Sequence, residues 1–201
     1  MTRRYELKQR AESQAETRTR IVEATVGLHE EVGPAHTTVT AIAERAGVQR
    51  LTVYRHFPDE RTLYAACSTH WSLQHPAPDP TAWAVIPDVE ERLRTALREI
   101  YAFYASTEGM MAHLLRDIPE LPALAEVASP FMRYWEHVVD ALARGWNVRG
   151  ATRGRLRAAL GHAVTFETWR SLVRRQGLSE ADAVELLVAL ARGAVGGSVD
   201  R

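Results

Sequence analysis

Four side chains between residues 50 and 55 have the chemistry needed to read the edges of base pairs. The guanidinium groups of Arg50 and Arg55 can each donate two hydrogen bonds to O6 and N7 of a guanine. Leu51 and the methyl group of Thr52 suit the methyl group of a thymine, a contact worth about 1 kcal/mol of discrimination. Either arginine can instead hold a phosphate, and Leu51 can instead pack in a turn, so the residue types alone leave these roles open.

The residues before this cluster predict a short helix that ends in a glycine turn. Ile42, Ala43 and Ala46 form one apolar face, and Gly47 follows at the position where helices often end in a left-handed residue. Thr38 is predicted to cap this helix. Its hydroxyl and the free backbone amides of the first turn can then bind a phosphate together.

The residues after the glycine predict a second short helix that carries the base-reading side chains. Val53 and Phe57 lie four residues apart and face the core, which turns residues 51, 52 and 55 outward and leaves Tyr54 at the flank. Pro58 stops this helix, and Asp59 is predicted to cap the next one. Two short helices around a glycine turn predict a helix-turn-helix.

This pattern resembles the DNA-binding signature of the TetR family of bacterial transcriptional regulators. The residues that carry the resemblance are Thr38, Ile42, Ala43, Glu44, Arg45, Ala46, Gly47, Val48, Thr52, Tyr54, Arg55, His56, Phe57 and Leu63. The preceding helix, with apolar residues at helical spacing from Ile21 to Val32, extends it to about the first third of the chain. Two residues depart from the family pattern. Leu51 stands where a small residue is frequent, and Glu60, followed by Arg61, stands where a lysine is usual.

The resemblance implies further phosphate contacts beside the base-reading cluster. Tyr54 and His56 can instead pack between helices with a satisfied polar tip. The predicted DNA-contacting residues are Thr38, Thr40, Gln49, Arg50, Leu51, Thr52, Tyr54, Arg55 and His56.

Charge is unevenly distributed along the 201 residues. The chain has 25 basic and 25 acidic residues and no formal net charge, yet its first 20 residues hold six arginines or lysines against three glutamates. Such a basic arm can neutralise phosphates, although a solvated leader would look the same. A lone Cys67 excludes an intramolecular disulfide, and neither a membrane span nor a signal peptide is apparent. We therefore expect a cytoplasmic protein without a membrane partner.

The rest of the chain predicts further helices, about nine in all, and an all-α fold. The connection at residues 75–80 is rich in proline, Asp88 can cap a long helix that ends near Thr107, and a shorter segment follows at 110–118. Pro130 is predicted at the first turn of a helix, and two more helices are expected at 155–176 and 179–192. The expected domains are a flexible basic arm at 1–17, a three-helix DNA-binding domain at 18–64, an effector-binding and dimerisation domain at 65–194, and a flexible tail at 195–201.

The last two helices are apolar over a wider arc than one small core requires. The surplus predicts a four-helix dimer interface, which the family resemblance also implies, although a larger internal core would explain it too. The predicted interface residues are Leu156, Leu160, Val164, Val184, Leu187 and Val188. A homodimer would read two half-sites of a pseudo-palindromic operator.

The family resemblance also implies a small-molecule pocket among the C-terminal helices. Its candidate lining, which can equally be plain core, consists of Tyr101, Tyr104, Met110, His113, Phe131, Trp135, His162, Phe166, Glu167 and Trp169. This composition favours a flat apolar or aromatic effector, with His162 and Glu167 orienting it. The expected function is a repressor that the effector releases from its operator.

Two other classes of function remain open. An enzyme lacks support because the chain has none of the usual nucleophile, zinc or dinucleotide motifs, and its eight histidines are scattered. We therefore expect no catalytic residue, metal or cofactor. A helical adaptor that binds only protein would explain the apolar C-terminal helices, but not the outward arginine.

Overall fold

The computed structural model describes residues 2–196, with side chains from residue 5 onward, and within this range every regular element is a helix. The ten α-helices are α1 (Thr2–Glu31), α2 (Val39–Ala46), α3 (Arg50–His56), α4 (Glu60–Gln74), α5 (Pro80–Trp83), α6 (Val89–Asp117), α7 (Pro122–Ala143), α8 (Gly150–Ala163), α9 (Phe166–Trp169) and α10 (Glu180–Gly196). A 3-10 turn at Pro34–His36 follows α1, and a π-type turn at Arg170–Arg175 continues α9. The predicted all-α class is confirmed.

The chain divides into two compact units. The first contains residues 2–76 together with Glu108–Ser129, and the second contains Ala77–Thr107 together with residues 130–196. The divisions fall inside α6, next to the non-helical backbone of Thr107, and inside α7, next to Pro130. The predicted domain boundary after residue 64 lies within α4, and that assignment stays a prediction.

Apolar residues of four helices form the core of the first unit. One face of α1 is buried against α2 and α4, and α3 joins this core through Val53 and Phe57, which are almost inaccessible. The other core residues include Ile21, Leu28, Ile42, Leu63, Cys67 and Trp71. This packing holds α3 by one side and leaves its other side to solvent.

The second unit has its own core, built from α5 to α8 and α10. The fully buried residues include Trp83, Leu93, Leu97, Leu142, Leu156 and Leu160. Arg92 is also buried, but its guanidinium donates hydrogen bonds to the carbonyl oxygens of Ile86 and Arg144, at 2.9 Å each for Nε and Nη1. These bonds satisfy the charged group inside the core.

Four expected elements differ from the structure. Residues 2–17, predicted as a flexible arm, are the first half of α1, and Pro130, predicted at a first turn, lies inside α7, which begins at Pro122. The helix expected at 155–176 is broken at Val164, and Thr165 caps the next turn by accepting a hydrogen bond from the Thr168 N–H at 3.3 Å. Of the predicted tail at 195–201, residues 195 and 196 belong to α10, and the others lie outside the described residues.

Candidate nucleic-acid interface

The turn between α2 and α3 has the geometry that its sequence predicts. The Thr38 hydroxyl oxygen accepts a hydrogen bond from the Ala41 N–H at 3.1 Å and so caps α2. Gly47 ends the helix in the left-handed region with φ 65°, and the Val48 N–H returns to the Ala43 carbonyl at 2.9 Å. These bonds satisfy groups at both ends of α2 and set the direction in which α3 leaves.

α3 presents a row of side chains to solvent. Leu51 is 76% exposed and Tyr54 is 47% exposed, while Arg50 and Arg55 are also exposed and Thr52 is half-buried. A side chain as apolar as Leu51 gains burial if it meets another surface. The exposed side of α3 therefore combines two cations with an apolar and an aromatic group, which is the chemistry of a base-reading surface.

His56 differs from the other predicted contact residues because it is half-buried. Its pKa is lowered by burial and by the neighbouring charges of Arg55 and Arg18. Its Nε2 atom is buried and has no hydrogen-bond partner among the described residues. The neutral form of His56 is favoured, so it would meet a phosphate as a neutral hydrogen-bond donor rather than as a cation.

Contacts from α1 hold α2 in place beneath the exposed face of α3. Arg45 makes a bidentate ion pair with Glu31, with N–O distances of 2.8 and 2.7 Å. Arg20 donates to the carbonyl of Ala46 at 3.2 Å, at the C-terminal end of α2. Arg45 belongs to the family signature, but its structural role was not apparent from the sequence because Glu31 lies 14 residues away.

A buried carboxylate ties the 3-10 turn after α1 to the second half of α6. Asp117 accepts hydrogen bonds from the Arg116 guanidinium at 2.6 Å and from the Ala35 N–H at 3.0 Å. Burial raises the pKa of Asp117, but these partners more than offset it, and the net shift is downward. Asp117 was not among the residues predicted from the sequence, although an acidic residue at the end of an apolar segment is a usable signal for such a contact.

The start of α4 is where this chain has Glu60 and Arg61 instead of the lysine that is usual in the family pattern. Asp59 caps the helix by accepting a hydrogen bond from the Thr62 N–H at 2.7 Å, as predicted. Glu60 is exposed, and Arg61 forms an exposed ion pair with Glu126 at 2.9 Å. Exposed pairs of this kind contribute at most about 1 kcal/mol, so a phosphate can compete for Arg61.

Six of the ten predicted pocket residues lie in one aromatic cluster of the second unit. The ring of Tyr104 lies 5.4 to 5.9 Å from the rings of Trp135, Phe166 and Trp169, and Phe131 and Tyr101 extend the cluster. The tyrosine hydroxyls are satisfied, because Tyr101 donates to the Ala163 carbonyl at 3.0 Å and Tyr104 donates to the Val164 carbonyl at 2.6 Å.

The other four predicted pocket residues are placed differently. Met110 and His113 belong to the first unit, where a ring nitrogen of His113 lies 3.2 Å from the His29 carbonyl oxygen. His162 and Glu167 are exposed, and His162 lies within hydrogen-bond distance of the Thr168 hydroxyl. Burial raises the pKa of Tyr104 and the charge of Glu167 contributes to the shift, so Glu167 lies within electrostatic range of the aromatic cluster, whereas His162 contacts Thr168.

All six residues predicted at the dimer interface are buried within the single chain. Leu156 and Leu160 of α8 pack in the same core as Val184, Leu187 and Val188 of α10, and Val164 follows the end of α8. A partner could reach them only by separating α8 from α10. The outer faces of the same two helices are what a partner could contact.

Within residues 2–196, no helix is both long and apolar enough to cross a membrane. The same residues contain no group of three or more His, Cys, Asp or Glu side chains able to hold a metal ion.

Comparison with known proteins supports the helix-turn-helix interpretation directly. Residues 21–67 match the family model described as bacterial regulatory proteins, tetR family. The matched segment contains the buried part of α1 together with α2, α3 and the first half of α4. The predicted resemblance to this family is confirmed. No curated protein matches the chain in sequence.

Solved structures show that the whole fold is similar to TetR-type regulators. A TetR-like regulator from Rhodococcus sp. RHA1 is 21% identical, with 90% of this chain and 97% of the other covered and a TM-score of 0.62. A TetR-family regulator from Syntrophomonas wolfei is 16% identical, with 93% and 99% covered and a TM-score of 0.61. The fatty acid degradation regulator FadR from Bacillus halodurans is 16% identical, with 92% and 97% covered and a TM-score of 0.57.

Proposed function

We propose that this chain, whose residues 21–67 form a TetR-family helix-turn-helix domain, is a homodimeric repressor that a small apolar or aromatic effector releases from a pseudo-palindromic operator. The observation that carries the proposal is the outward face of α3. Leu51, Tyr54 and Arg55 are exposed there, while Val53 and Phe57 fix the helix from behind. A protein-binding adaptor would need no such combination of a rigid helix and base-reading side chains.

The outer faces of α8 and α10 support the homodimer. On α10, Leu186 and Leu190 are 49% and 45% exposed, and Ala189 and Gly193 lie on the same side at intervals of three and four residues. On α8, the exposed residues Ala151, Gly154 and Ala158 recur at the same intervals. Small residues allow close helix approach, and the exposed leucines gain burial, so two copies of this pair can form a four-helix interface.

The aromatic cluster supports an apolar effector. Trp169 is fully buried, yet its indole N–H has no hydrogen-bond partner among the described residues. An unsatisfied buried donor costs about 1–3 kcal/mol, which a ligand with a hydrogen-bond acceptor would recover. The effector is therefore an apolar or flat aromatic molecule with at least one acceptor. The name of the Bacillus halodurans protein adds fatty acids to the compounds worth testing.

Selection of bound DNA from a random duplex pool tests the DNA-binding part. We expect a palindromic consensus whose half-sites are separated by one helical turn, about 34–36 Å, or a multiple of it. The affinity should fall steeply with salt, because each neutralised phosphate contributes about −0.9 to the slope of log affinity against log salt. Absence of enrichment at low salt would leave the protein-binding adaptor as the better explanation.

Thermal-shift screening with fatty acids and flat aromatic compounds tests the effector part. A ligand found in this way should lower operator affinity, since it can act only by preferring a conformation that does not fit DNA. Trp169→Phe keeps a ring but removes the donor, and we expect it to weaken an acceptor-bearing ligand by about 5-fold, or 1 kcal/mol. A saturating ligand that leaves the operator complex intact would contradict release by an effector.

A further inference from the structure

The first half of α1 is a helical extension that the rest of the chain does not cover. Every residue from Tyr5 to Glu16 is exposed, whereas burial begins at Ile21. At 1.5 Å per residue, these twelve residues extend about 18 Å. An isolated helix of this length is marginal in water, so a partner surface would stabilise it.

One side of this extension is basic and polar. The buried side of α1 contains Ile21, Thr25 and His29, and the same spacing of three and four residues continues toward the N-terminus through Arg18, Gln14 and Arg10. We call Arg10, Gln14 and Arg18 the basic stripe. Its members share the side of α1 that packs against the helix-turn-helix.

The opposite side of α1 is acidic. Glu12 and Glu16 lie there, in line with the exposed Glu23 and Glu30 further along the helix. At about 100° per residue, Glu12 and Glu16 lie at least about 120° around the helix from Arg18. Lys8, between the two sides, pairs with Glu12 at 3.8 Å. The charges of residues 10–18 are therefore sorted by face, and Glu6, four residues before Arg10, is an acidic exception beside the stripe.

The basic stripe is continuous with the DNA-reading part of the first unit. The Arg18 guanidinium lies over the ring of Phe57, 4.6 Å from its centroid, and Phe57 is the C-cap residue that follows α3. The charge of Arg18 also contributes to the lowered pKa of His56 in the last turn of α3. The stripe thus begins beside the recognition helix and runs away from it along α1.

We propose that the basic stripe binds the phosphate backbone of DNA that flanks each half-site. This inference rests on the proposed function, because it takes the face of α3 as the base-reading surface. Each strand has one phosphate per 3.4 Å of duplex axis, so an 18 Å helix that lies along the DNA is within reach of several phosphates. The acidic side then faces away from DNA, which keeps the extension from being repelled.

A matched pair of substitutions tests which face of α1 binds DNA. Gln14→Glu and Gln9→Glu make the same chemical change on the same exposed helix, but Gln14 lies on the basic stripe and Gln9 on the acidic side. We expect Gln14→Glu to weaken binding to an operator with about 10 flanking base pairs on each side by at least 5-fold at low salt. Gln9→Glu should change the affinity by less than about 2-fold.

Arg10→Gln tests the phosphate contact itself. It should make the salt slope less steep by about 0.9 for each phosphate that is no longer neutralised, and this change should disappear when the duplex is trimmed to the two half-sites. Equal effects of Gln14→Glu and Gln9→Glu, or an unchanged slope for Arg10→Gln on the long duplex, would overturn the proposal. Binding of the stripe to anionic lipid vesicles with no effect on long duplexes would also overturn it.

The failure of this proposal can be told apart from the failure of the proposed function. If only the stripe assignment is wrong, the parent protein still selects a palindrome and the three variants bind the long duplex like the parent. If the parent protein binds no duplex, both fail together. Circular dichroism of the variants checks that α1 retains its helix, so a loss of affinity can be assigned to charge.

Discussion

Arg55 is one of two exposed arginines of α3. It lies in the last turn of the helix, beside the half-buried His56, whereas Arg50 is the first residue of the helix. A guanidinium bound in bidentate fashion to guanine distinguishes that base by about 1–3 kcal/mol. A phosphate contact at the same position would contribute affinity without distinguishing sequences. The two roles predict different results for one substitution.

We expect Arg55→Ala to remove most of the preference for the operator over random DNA. The loss should be about 10-fold or more per half-site, because the bidentate contact is made only with the cognate base. Gel shifts with operator and scrambled duplexes measure the specificity ratio. Arg170→Ala, an exposed arginine in the second unit, is the control. An unchanged ratio with a uniformly lower affinity would reassign Arg55 to a phosphate.

His29 is a buried titratable group with consequences for acid stability. Its side chain is 5% exposed, near the ring of Tyr64, and its Nε2 atom has no hydrogen-bond partner among the described residues. Burial lowers its pKa from 6.5 to about 4, and the charge of Asp117 opposes this shift only in part. Between these two pH values the unfolded chain binds a proton at His29 and the folded chain does not.

Stability should therefore decrease as the pH falls from about 6.5 to 4, and His29→Leu should make this decrease smaller. The contribution of His29 reaches at most roughly 3 kcal/mol, from 1.36 kcal/mol per pKa unit. Urea unfolding at several pH values measures it, and His137→Leu, on an exposed part of α7, is the control. The same acid dependence in His29→Leu and the parent would assign the loss of stability to other groups.

At the scale of the element, the turn of the helix-turn-helix depends on backbone conformation rather than on side-chain packing. A Cβ atom at Gly47 would meet nothing closer than the Arg20 guanidinium at 3.8 Å, so space does not require glycine there. The φ of 65° is what requires glycine at this position, because the left-handed region costs other residues about 1 kcal/mol or more. The Gly47 and Val48 N–H bonds to α2 carbonyls depend on that conformation.

We expect Gly47→Ala to lower the free energy of unfolding by about 1 kcal/mol and to weaken operator binding by misdirecting α3. Gly109→Ala is the control, because Gly109 lies in α6 and its added Cβ would contact the Glu30 carbonyl at an ordinary 3.5 Å. Gly109→Ala should leave the free energy of unfolding unchanged or increase it. Urea unfolding and gel shifts of both variants provide the measurements. Equal stability of Gly47→Ala and the parent would show that alanine occupies this turn without a conformational cost.

The elements could be predicted well from the sequence where the signals are local. The caps Thr38 and Asp59, the glycine turn, and the buried pair Val53 and Phe57 each depend on residues within one helical turn, and the structure contains all of them. The aromatic residues of the second unit were also predicted to lie together, although their role as an effector pocket stays a proposal.

Two predicted helix boundaries were wrong, and contacts with distant residues explain the second. Pro130 has the signature of a first-turn proline, but α7 already begins at Pro122 and continues through it. The break at Val164 has no strong breaker in sequence; there the buried tyrosine hydroxyls of α6 bind the carbonyls of Ala163 and Val164, which the interrupted helix leaves available. The local spacing of apolar residues does not indicate these hydrogen-bond partners, because they lie 60 or more residues away in the sequence.

At the scale of the whole molecule, the C-terminal helices contain more apolar surface than one chain buries. The residues predicted at the dimer interface lie between α8 and α10, and the exposed leucines of α10 come in addition to them. An internal core therefore contains the six predicted residues, and the exposed leucines on the other side of α10 are the apolar surface that the proposed homodimer would bury. Dimerisation matters because a single short recognition helix has few contacts with DNA.

The outer face of α10 supplies a direct test of the homodimer. Ala189 lies on the side of Leu186 and Leu190, whereas Ala181 is exposed on another side of the same helix, so Ala189→Glu and Ala181→Glu make one change on two faces. We expect Ala189→Glu to shift the protein toward monomer, because it brings two uncompensated carboxylates into an apolar interface. Sedimentation velocity should show this shift for Ala189→Glu alone. Operator affinity should fall with it, since a monomer binds only one half-site, whereas affinity for an isolated half-site should not change. A stable dimer in both variants would place the interface on another surface of the chain.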